Sequence, residues 1–506
     1  MKKDFCGSLA NTLLRFGSVN WTLGQAAEGV LITGATGSGK TSGSGKHLAH
    51  AYLKAGMGGL VLCAKPDERQ RWEQYATECE RKNAVIVMDG TGKERFNFLD
   101  YSLSQAGGGE TLNLVTLFVQ LAEAARLNKG GGGAADPFWQ DAMKELLSHS
   151  MDALIAAYGQ VRLAELQRFI ETLPLPDDKR EKGFCYQTMQ KAYMTPVRPL
   201  ATHDLEVIKN YIFENMRRMA DKTRSGIISN FTSLAHGFIK GTMHSMFCTD
   251  STLVPELAHE GAIIIVDLPV KTWGTSGILA AHVMKFLFQK TTERRVCTEK
   301  TRPVFLWADE CQFFLSEYDN EFQSTARSSR ACTVYLTQNL SGIYSTIGGS
   351  NPEHSTEALL GNLRTKIFHL NDNRSTNQWA ADLIGKDIQH RRNWSQGTGS
   401  STGQSEGKNS SWGNNKNYNL FGLLHNSSGK NKGRGSSSGI NSGTSENRGE
   451  GSSEQIDYRV QPSFFAEGLR NGGKDNDCKV DAVIVQAGQK FNDTGGHWGL
   501  CTFPQN

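Results

Sequence analysis

The run Gly34-Ala35-Thr36-Gly37-Ser38-Gly39-Lys40-Thr41, continued by Ser42-Gly43-Ser44-Gly45-Lys46, contains two Gly-Lys pairs. A loop that wraps phosphates with successive backbone N–H groups reads G-x-x-x-x-G-K-[ST]. Its lysine reaches the outer phosphates, and the hydroxyl that follows ligates Mg2+. Gly34, Gly39, Lys40 and Thr41 meet every position, so Gly34, Ala35, Thr36, Gly37, Ser38, Gly39, Lys40 and Thr41 form the candidate nucleotide loop. The second pair would need glycine at 40 and a hydroxyl at 47, but finds Lys40 and His47. Lys40 is therefore the candidate phosphate lysine, and Lys46 is expected about one and a half turns along the following helix.

The flanks agree. "GVLIT" before the loop is an apolar run suited to a buried strand. After it, Leu48, Ala49, Tyr52 and Leu53 recur at helical spacing, with Gly56 placed to end the helix. Strand, glycine loop and helix in that order aim a helix N-terminus at an anion.

Further short runs rich in Val, Ile and Leu predict strands at 59–66, 84–90, 261–269, 303–310, 333–338, 365–371 and 481–488. Continuous rather than alternating apolar strands are what a mostly parallel sheet covered on both faces requires. The fold class is therefore α/β, a nucleotide-binding core. Strand signals stop between 111 and 250. There "DPFWQDAMKELLSHSMDALIAAYG" predicts a helix with Asp136 as N-cap, Pro137 at the first position and Gly159 past the end. An all-α domain is thus expected to interrupt the sheet. From 394 to 454 Ser, Gly and Asn dominate, and so little apolar surface is expected to stay disordered. Within it, "YNLFGLLH" (418–425) is an apolar island. The resulting division is an N-terminal segment 1–27, nucleotide-binding core 28–110, all-α insertion 111–250, core 251–393, disordered insertion 394–454 and core 455–506.

Composition narrows the class. The chain has 506 residues, room for two or three domains, and a formal net charge of +4, too mild to announce a nucleic-acid partner. Its ten cysteines are scattered without C-x-x-C spacing and read as reduced thiols, not a zinc site or a disulfide framework. No apolar run approaches the roughly 18 residues that span a bilayer. At the N-terminus, Phe5, Leu9, Leu13 and Phe16 recur at helical spacing, which predicts a helix packed on its own domain in preference to one on a membrane surface.

A nucleotide loop alone implies binding. "VFLWADE" supplies what hydrolysis needs: Asp309 at a strand end to hold Mg2+, and Glu310 to polarise the attacking water. In "TARSSRACTVYLTQN" a strand ends at Gln338, placed to sense the γ-phosphate or the water. Arg327 and Arg330 precede that strand, where an arginine offered to a neighbouring subunit's nucleotide would stabilise the transition state.

In order, "GATGSGKT", "AKPDE", "FNFLDY", "FWQDA", "LWADE" and "ARSSRACTVYLTQN" resemble the type IV coupling proteins, the TraG/TraD-like ATPases of conjugation and type IV secretion. The likeness runs from about 28 to 394 and resumes in "YRVQPSFFAEGLRNGG" and "DAVIVQAGQ". It implies a RecA-like P-loop domain carrying an inserted all-α domain, and ATP and Mg2+ as ligands. It also implies a homo-hexameric ring that delivers DNA and its relaxase, or another secretion substrate, to the channel components. It puts the phosphate lysine at Lys40, the Mg2+ hydroxyl at Thr41, the acidic pair at Asp309 and Glu310, the finger at Arg327 and the sensor at Gln338. Arg327 is preferred to Arg330 because its eleven-residue step to Gln338 resembles the family's. Asn97 and Leu99 match the family's Asn-Pro-Leu, with Phe98 in place of proline.

Family members usually begin with two transmembrane helices, whereas this chain reaches its loop by residue 34. It is expected in the cytoplasm, reaching the membrane through a partner or peripherally at its inner face. Two other readings remain open: a cytosolic DNA translocase of the HerA/FtsK group, and a nucleotide-switched cargo receptor that moves no DNA.

Overall fold

Each of the apolar runs is a strand. In the computed structural model, which describes residues 7–104, 110–128, 136–175, 182–347, 351–415 and 429–505, they are β3 (Val30–Thr33), β4 (Gly58–Leu62), β5 (Val85–Asp89), β6 (Ile263–Asp267), β7 (Val304–Ala308), β8 (Ala331–Thr337), β9 (Thr365–Phe368) and β12 (Lys479–Gln486). With β13 (Trp498–Pro504) they form, among the described residues, a nine-stranded sheet ordered β13-β12-β9-β3-β8-β7-β4-β6-β5. The pairs from β9 through β5 are all parallel, whereas β12 is antiparallel to both its neighbours. The central strands are buried residue by residue, as a sheet covered on both faces demands. Sequence reading missed β13, whose alternating burial marks it as an edge strand with one face toward the core.

The face beneath the nucleotide loop is aromatic. Phe305 of β7 stacks between Tyr52 and Trp72, with ring centroids 5.8 and 5.4 Å away, and Trp72 meets Trp307 edge-on. Tyr52 lies on the helix Lys46–Lys54 and Trp72 on the helix Glu68–Glu78, so these contacts lock both helices to the sheet.

The N-terminal helix expectation fails. Thr12–Phe16 (β1) and Val19–Thr22 (β2) form an antiparallel hairpin. Its two-residue loop is Gly17-Ser18, with Gly17 at φ +57°, where a side chain would be strained. Phe16 and Trp21 are fully buried, and the Trp21 indole donates to Thr365 Oγ1 at 3.1 Å. Four apolar residues are too few to tell helical period from strand period, and the Gly-Ser turn decides it. Phe5 lies outside the described residues.

Between β5 and β6 the regular elements are helical, from Phe98 to Phe247. They begin earlier than residue 111 because Asn97 caps the first of them, its carbonyl oxygen accepting the Asp100 N–H at 3.3 Å. Helix Pro137–Tyr158 has the foreseen ends: Asp136 accepts the Phe138 N–H at 3.0 Å, and Gly159 is left-handed. Phe98, Phe118, Phe231, Phe238 and Phe247 pack ring to ring as its core.

The chain divides into two compact units, residues 1–371 with 470–506, and residues 372–469. The second contains helix Arg374–Ile384 and two long antiparallel strands, β10 (Lys386–Asn415) and β11 (Gly429–Tyr458). Much of the stretch 394–454, expected to stay disordered, lies within these two strands where residues are described. Backbone hydrogen bonds of a ladder are indifferent to side chains, a contribution that counting apolar burial leaves out. The island 418–425 lies outside the described residues.

The loop after β7 is fixed by a fully buried ion pair. Lys285, on helix Val270–Glu293, donates to Asp319 Oδ2 at 2.5 Å and to the Phe314 carbonyl. Asp319 also accepts from Tyr335 of β8 at 2.7 Å and from the Ser316 N–H at 2.7 Å. Lys285→Met would strand the Asp319 charge, and a loss of about 3–5 kcal/mol is expected in urea unfolding. Adding Asp319→Asn should restore part of it.

Candidate nucleotide site

β3, β8, β7 and β4 are consecutive across the sheet and parallel, so their C-terminal ends lie side by side. Past β3 runs the glycine loop, past β8 comes Gln338, past β7 come Asp309 and Glu310, and past β4 comes Lys65. A crevice beyond the carboxyl ends of parallel strands is where α/β sheets bind ligands.

Gly37 and Gly39 have φ of +77° and +81°. At Gly39 a Cβ would lie 2.5 Å from Val480 Cγ2, so this position excludes a side chain both by conformation and by space. Thr41 to Gly45 form one widened turn before helix Lys46–Lys54, with Gly43 at φ −95° and ψ −107°. Ser44 anchors that turn to the sheet through His369, 2.7 Å from Nε2. The other ring nitrogen, Nδ1, is 3.1 Å from the Asp481 carbonyl. A carbonyl only accepts, so Nδ1 carries the proton and Nε2 accepts from Ser44. Burial keeps the ring neutral, its pKa lowered to about 4.

Five of the residues foreseen at this end of the sheet meet. Thr41 Oγ1 donates to Asp309 Oδ2 at 3.0 Å. Lys40 Nζ is 4.0 Å from Glu310 Oε1, and Gln338 Nε2 donates to that oxygen at 3.1 Å. Glu310 sits in the left-handed region, φ +49° and ψ 50°, a conformation that costs a non-glycine residue roughly 1–3 kcal/mol and is sustained by its surroundings. Asp309 Oδ1 helps by accepting the Glu310 N–H at 2.9 Å.

Three residues at the site escaped sequence reading. Lys65 donates to Glu310 Oε1 at 2.6 Å, and Gln312 donates to Oε2 at 3.0 Å. Burial alone would raise the Glu310 pKa, but hydrogen bonds from Lys65, Gln312 and Gln338 and the charge of Lys40 bring it down to about 2. For Lys65, burial works against the charge, yet Asp309 and Glu310 outweigh it and its pKa is raised. Glu68 is the third. It is buried, with Oε2 accepting the Ala64 N–H at 2.9 Å and Oε1 without a hydrogen-bond partner, and it lines a small cavity with Thr41 and Asp309. Burial first, then the Asp309 charge, pushes its pKa well up. "AKPDE" contained both Lys65 and Glu68, but nothing in the sequence paired that segment with residues 309 and 310.

The donor set fits Mg2+. A hydroxyl and a carboxylate converge at hydrogen-bond distance, with an unpartnered buried carboxylate oxygen lining the same cavity. Among the described residues no cluster of three or more His, Cys, Asp or Glu could hold a metal. Thr41 and Asp309 would share such an ion with phosphates and water, the usual habit of Mg2+.

The arginines are elsewhere. Both precede β8, at the end of the strand opposite Gln338, with Arg330 about 26 Å from it at 3.3 Å per residue. Arg330 is 4% exposed and donates to the carbonyls of Thr298, at 2.9 Å, and Gly7. Those bonds tie it to its own chain. Arg327, with its side chain 61% exposed, pairs with Glu28 at 3.3 Å. It opens onto a cleft of about 660 Å³ lined also by Asn20, Gln25, Arg364 and Gln489.

Residues 303–421 match a family model described as the TraM recognition site of TraD and TraG. No curated protein matches the chain. Among solved structures, the bacterial conjugative coupling protein TrwBdeltaN70, unbound, is similar at TM-score 0.57 and 12% identity, covering 100% of this chain and 91% of that one. TrwB with the ATP analogue ADPNP matches at TM-score 0.55 and 11% identity, and TrwB with ADP and Mg2+ at 0.55 and 10%. Each of these two covers 98% of this chain and 89% of its own. The chain thus has the fold of these coupling proteins. Among the described residues, no helix is long and apolar enough to cross a membrane.

The two arginines are separable. Arg330→Ala removes the donor of the Thr298 and Gly7 carbonyls, the second in a buried position, and is expected to lower stability by about 1–3 kcal/mol in thermal or urea unfolding. Arg327→Ala, exposed, is expected to leave stability within about 0.5 kcal/mol.

Proposed function

We propose that this chain is the ATP-hydrolysing motor of a conjugative or type IV secretion system, coupling hydrolysis to transfer of DNA or nucleoprotein. The observation that carries this reading is the meeting of a phosphate loop, a hydroxyl–carboxylate pair and a second carboxylate at the ends of adjacent strands. The coupling-protein fold and the family match over 303–421 support the conjugative setting. They also support a protein partner of the TraM kind and a relaxase or other secretion substrate as cargo.

In this reading the backbone amides of residues 34–41 cradle the phosphates and Lys40 reaches their outer oxygens. Thr41 and Asp309 hold Mg2+, which when bound neutralises charge on the phosphate oxygens. Glu310 orients and deprotonates the attacking water, and Gln338 contacts the water or the γ-phosphate. Arg327 stands too far from its own chain's loop, so its target is the nucleotide of a second copy. That arrangement calls for a ring, and a homo-hexamer suits it. A cytoplasmic ring would meet the membrane through the channel components.

Lys40→Ala is expected to abolish hydrolysis. Glu310→Gln is expected to keep nucleotide bound while kcat falls about 10²–10⁴-fold, the share of a general base. Full turnover by that variant would place the base elsewhere. Mixing Arg327→Ala with Lys40→Ala subunits tests the finger, with partial recovery of turnover expected from mixed interfaces. DNA is expected to stimulate the wild-type ATPase in a salt-sensitive manner. Stimulation by cargo protein alone would instead indicate a receptor.

A further inference from the structure

β4 and β7 are paired with Leu62 opposite Ala308. Lys65, three residues beyond Leu62, therefore meets Glu310, two residues beyond Ala308. The intervening turn is held in place: Glu68, which opens the next helix, accepts the Ala64 N–H at 2.9 Å and ties the turn to its own end. The lysine's position is thus built by the sheet and the turn together.

The two members of the pair differ in access. The Glu310 side chain is 3% exposed and that of Lys65 33%, so the carboxylate lies beneath and the ammonium at the opening. Lys40 and Lys65 both face the same oxygen, Oε1, at 4.0 and 2.6 Å. Gln338 also donates to Oε1, while Gln312 takes Oε2. A carboxylate has about four acceptor directions. With these partners Glu310 has little capacity left for a water molecule.

A terminal phosphate held by Lys40 would bring its negative charge beside the oxygen that Lys65 now pairs with. Three ammonium donors on a flexible stem let Lys65 exchange one oxyanion for the other. A nucleoside diphosphate lacks that phosphate and offers no such rival.

We propose that Lys65 is a γ-phosphate sensor: it is the counter-ion of Glu310 until a triphosphate binds, and then the counter-ion of the terminal phosphate. The exchange frees one acceptor direction on Glu310 for the attacking water only when hydrolysable nucleotide is present. Lys65 thus contacts the ligand and positions the base. The proposal rests on the loop at 34–41 being a triphosphate site.

The test is calorimetric titration of the full chain with Mg2+ and either a non-hydrolysable ATP analogue or ADP. In Lys65→Ala the analogue is expected to bind about tenfold more weakly, the size of one lost charge-assisted contact, with ADP affinity unchanged. Lys65→Arg should restore the difference, which a merely structural role would not require. Glu310→Gln removes the competing anion and should tighten analogue binding, a gain lost in the Lys65→Ala, Glu310→Gln double variant. Equal weakening of both nucleotides, or no change in either, overturns the sensor. Should Lys65→Ala fail to fold by circular dichroism, Lys65→Gln takes its place under the same criteria. If the wild type binds neither nucleotide, or Lys40→Ala binds both normally, the nucleotide-site reading itself falls and the sensor with it.

Discussion

The side chain of Glu310 is the centre on which the site is organised. A buried carboxylate in left-handed backbone is unfavourable twice over, in desolvation and in conformation. It persists because donors converge on it from three directions: Lys65 past β4, Gln338 past β8, and Gln312 from its own turn. Lys40 adds its charge from the loop after β3. Each donor occupies its place only because β3, β8, β7 and β4 are neighbours.

The same order separates the two chemical faces of the sheet. The glycine loop, Asp309, Glu310 and Gln338 lie at the carboxyl ends of the parallel strands. Arg327 and its Glu28 partner lie at the other ends, beside a broad polar cleft. A single chain thereby carries a nucleotide face and an arginine face that cannot meet. Under the proposed function, assembly into a ring is what completes the site, and an isolated subunit lacks its finger.

Beneath the surface, the rigidity that catalysis by positioning needs comes from aromatic stacking and one buried ion pair. Phe305 between Tyr52 and Trp72 fixes the helices Lys46–Lys54 and Glu68–Glu78 on β7. Lys285 and Asp319 fix the turn that follows Glu310, with Tyr335 tying them to the strand that ends at Gln338. Glu310 and Gln338 therefore share a scaffold.

The sequence by itself determined the strands of the parallel sheet and the helical stretch between β5 and β6, and it singled out the glycine loop at 34–41, Asp309, Glu310 and Gln338. These are local signals, carried by a short motif, by unbroken apolar runs or by caps such as Asp136 and Gly159. It misjudged the N-terminal hairpin, where four apolar residues fit two periods. Only the tertiary structure decided the order of the strands. With that order came the pairing of Lys65 with Glu310 across 245 residues, the placement of Glu68 beside Thr41 and Asp309, and the division of roles between a buried Arg330 and an exposed Arg327. Contacts between strands distant in the chain leave no periodicity in either one, so they exist only once the sheet is assembled.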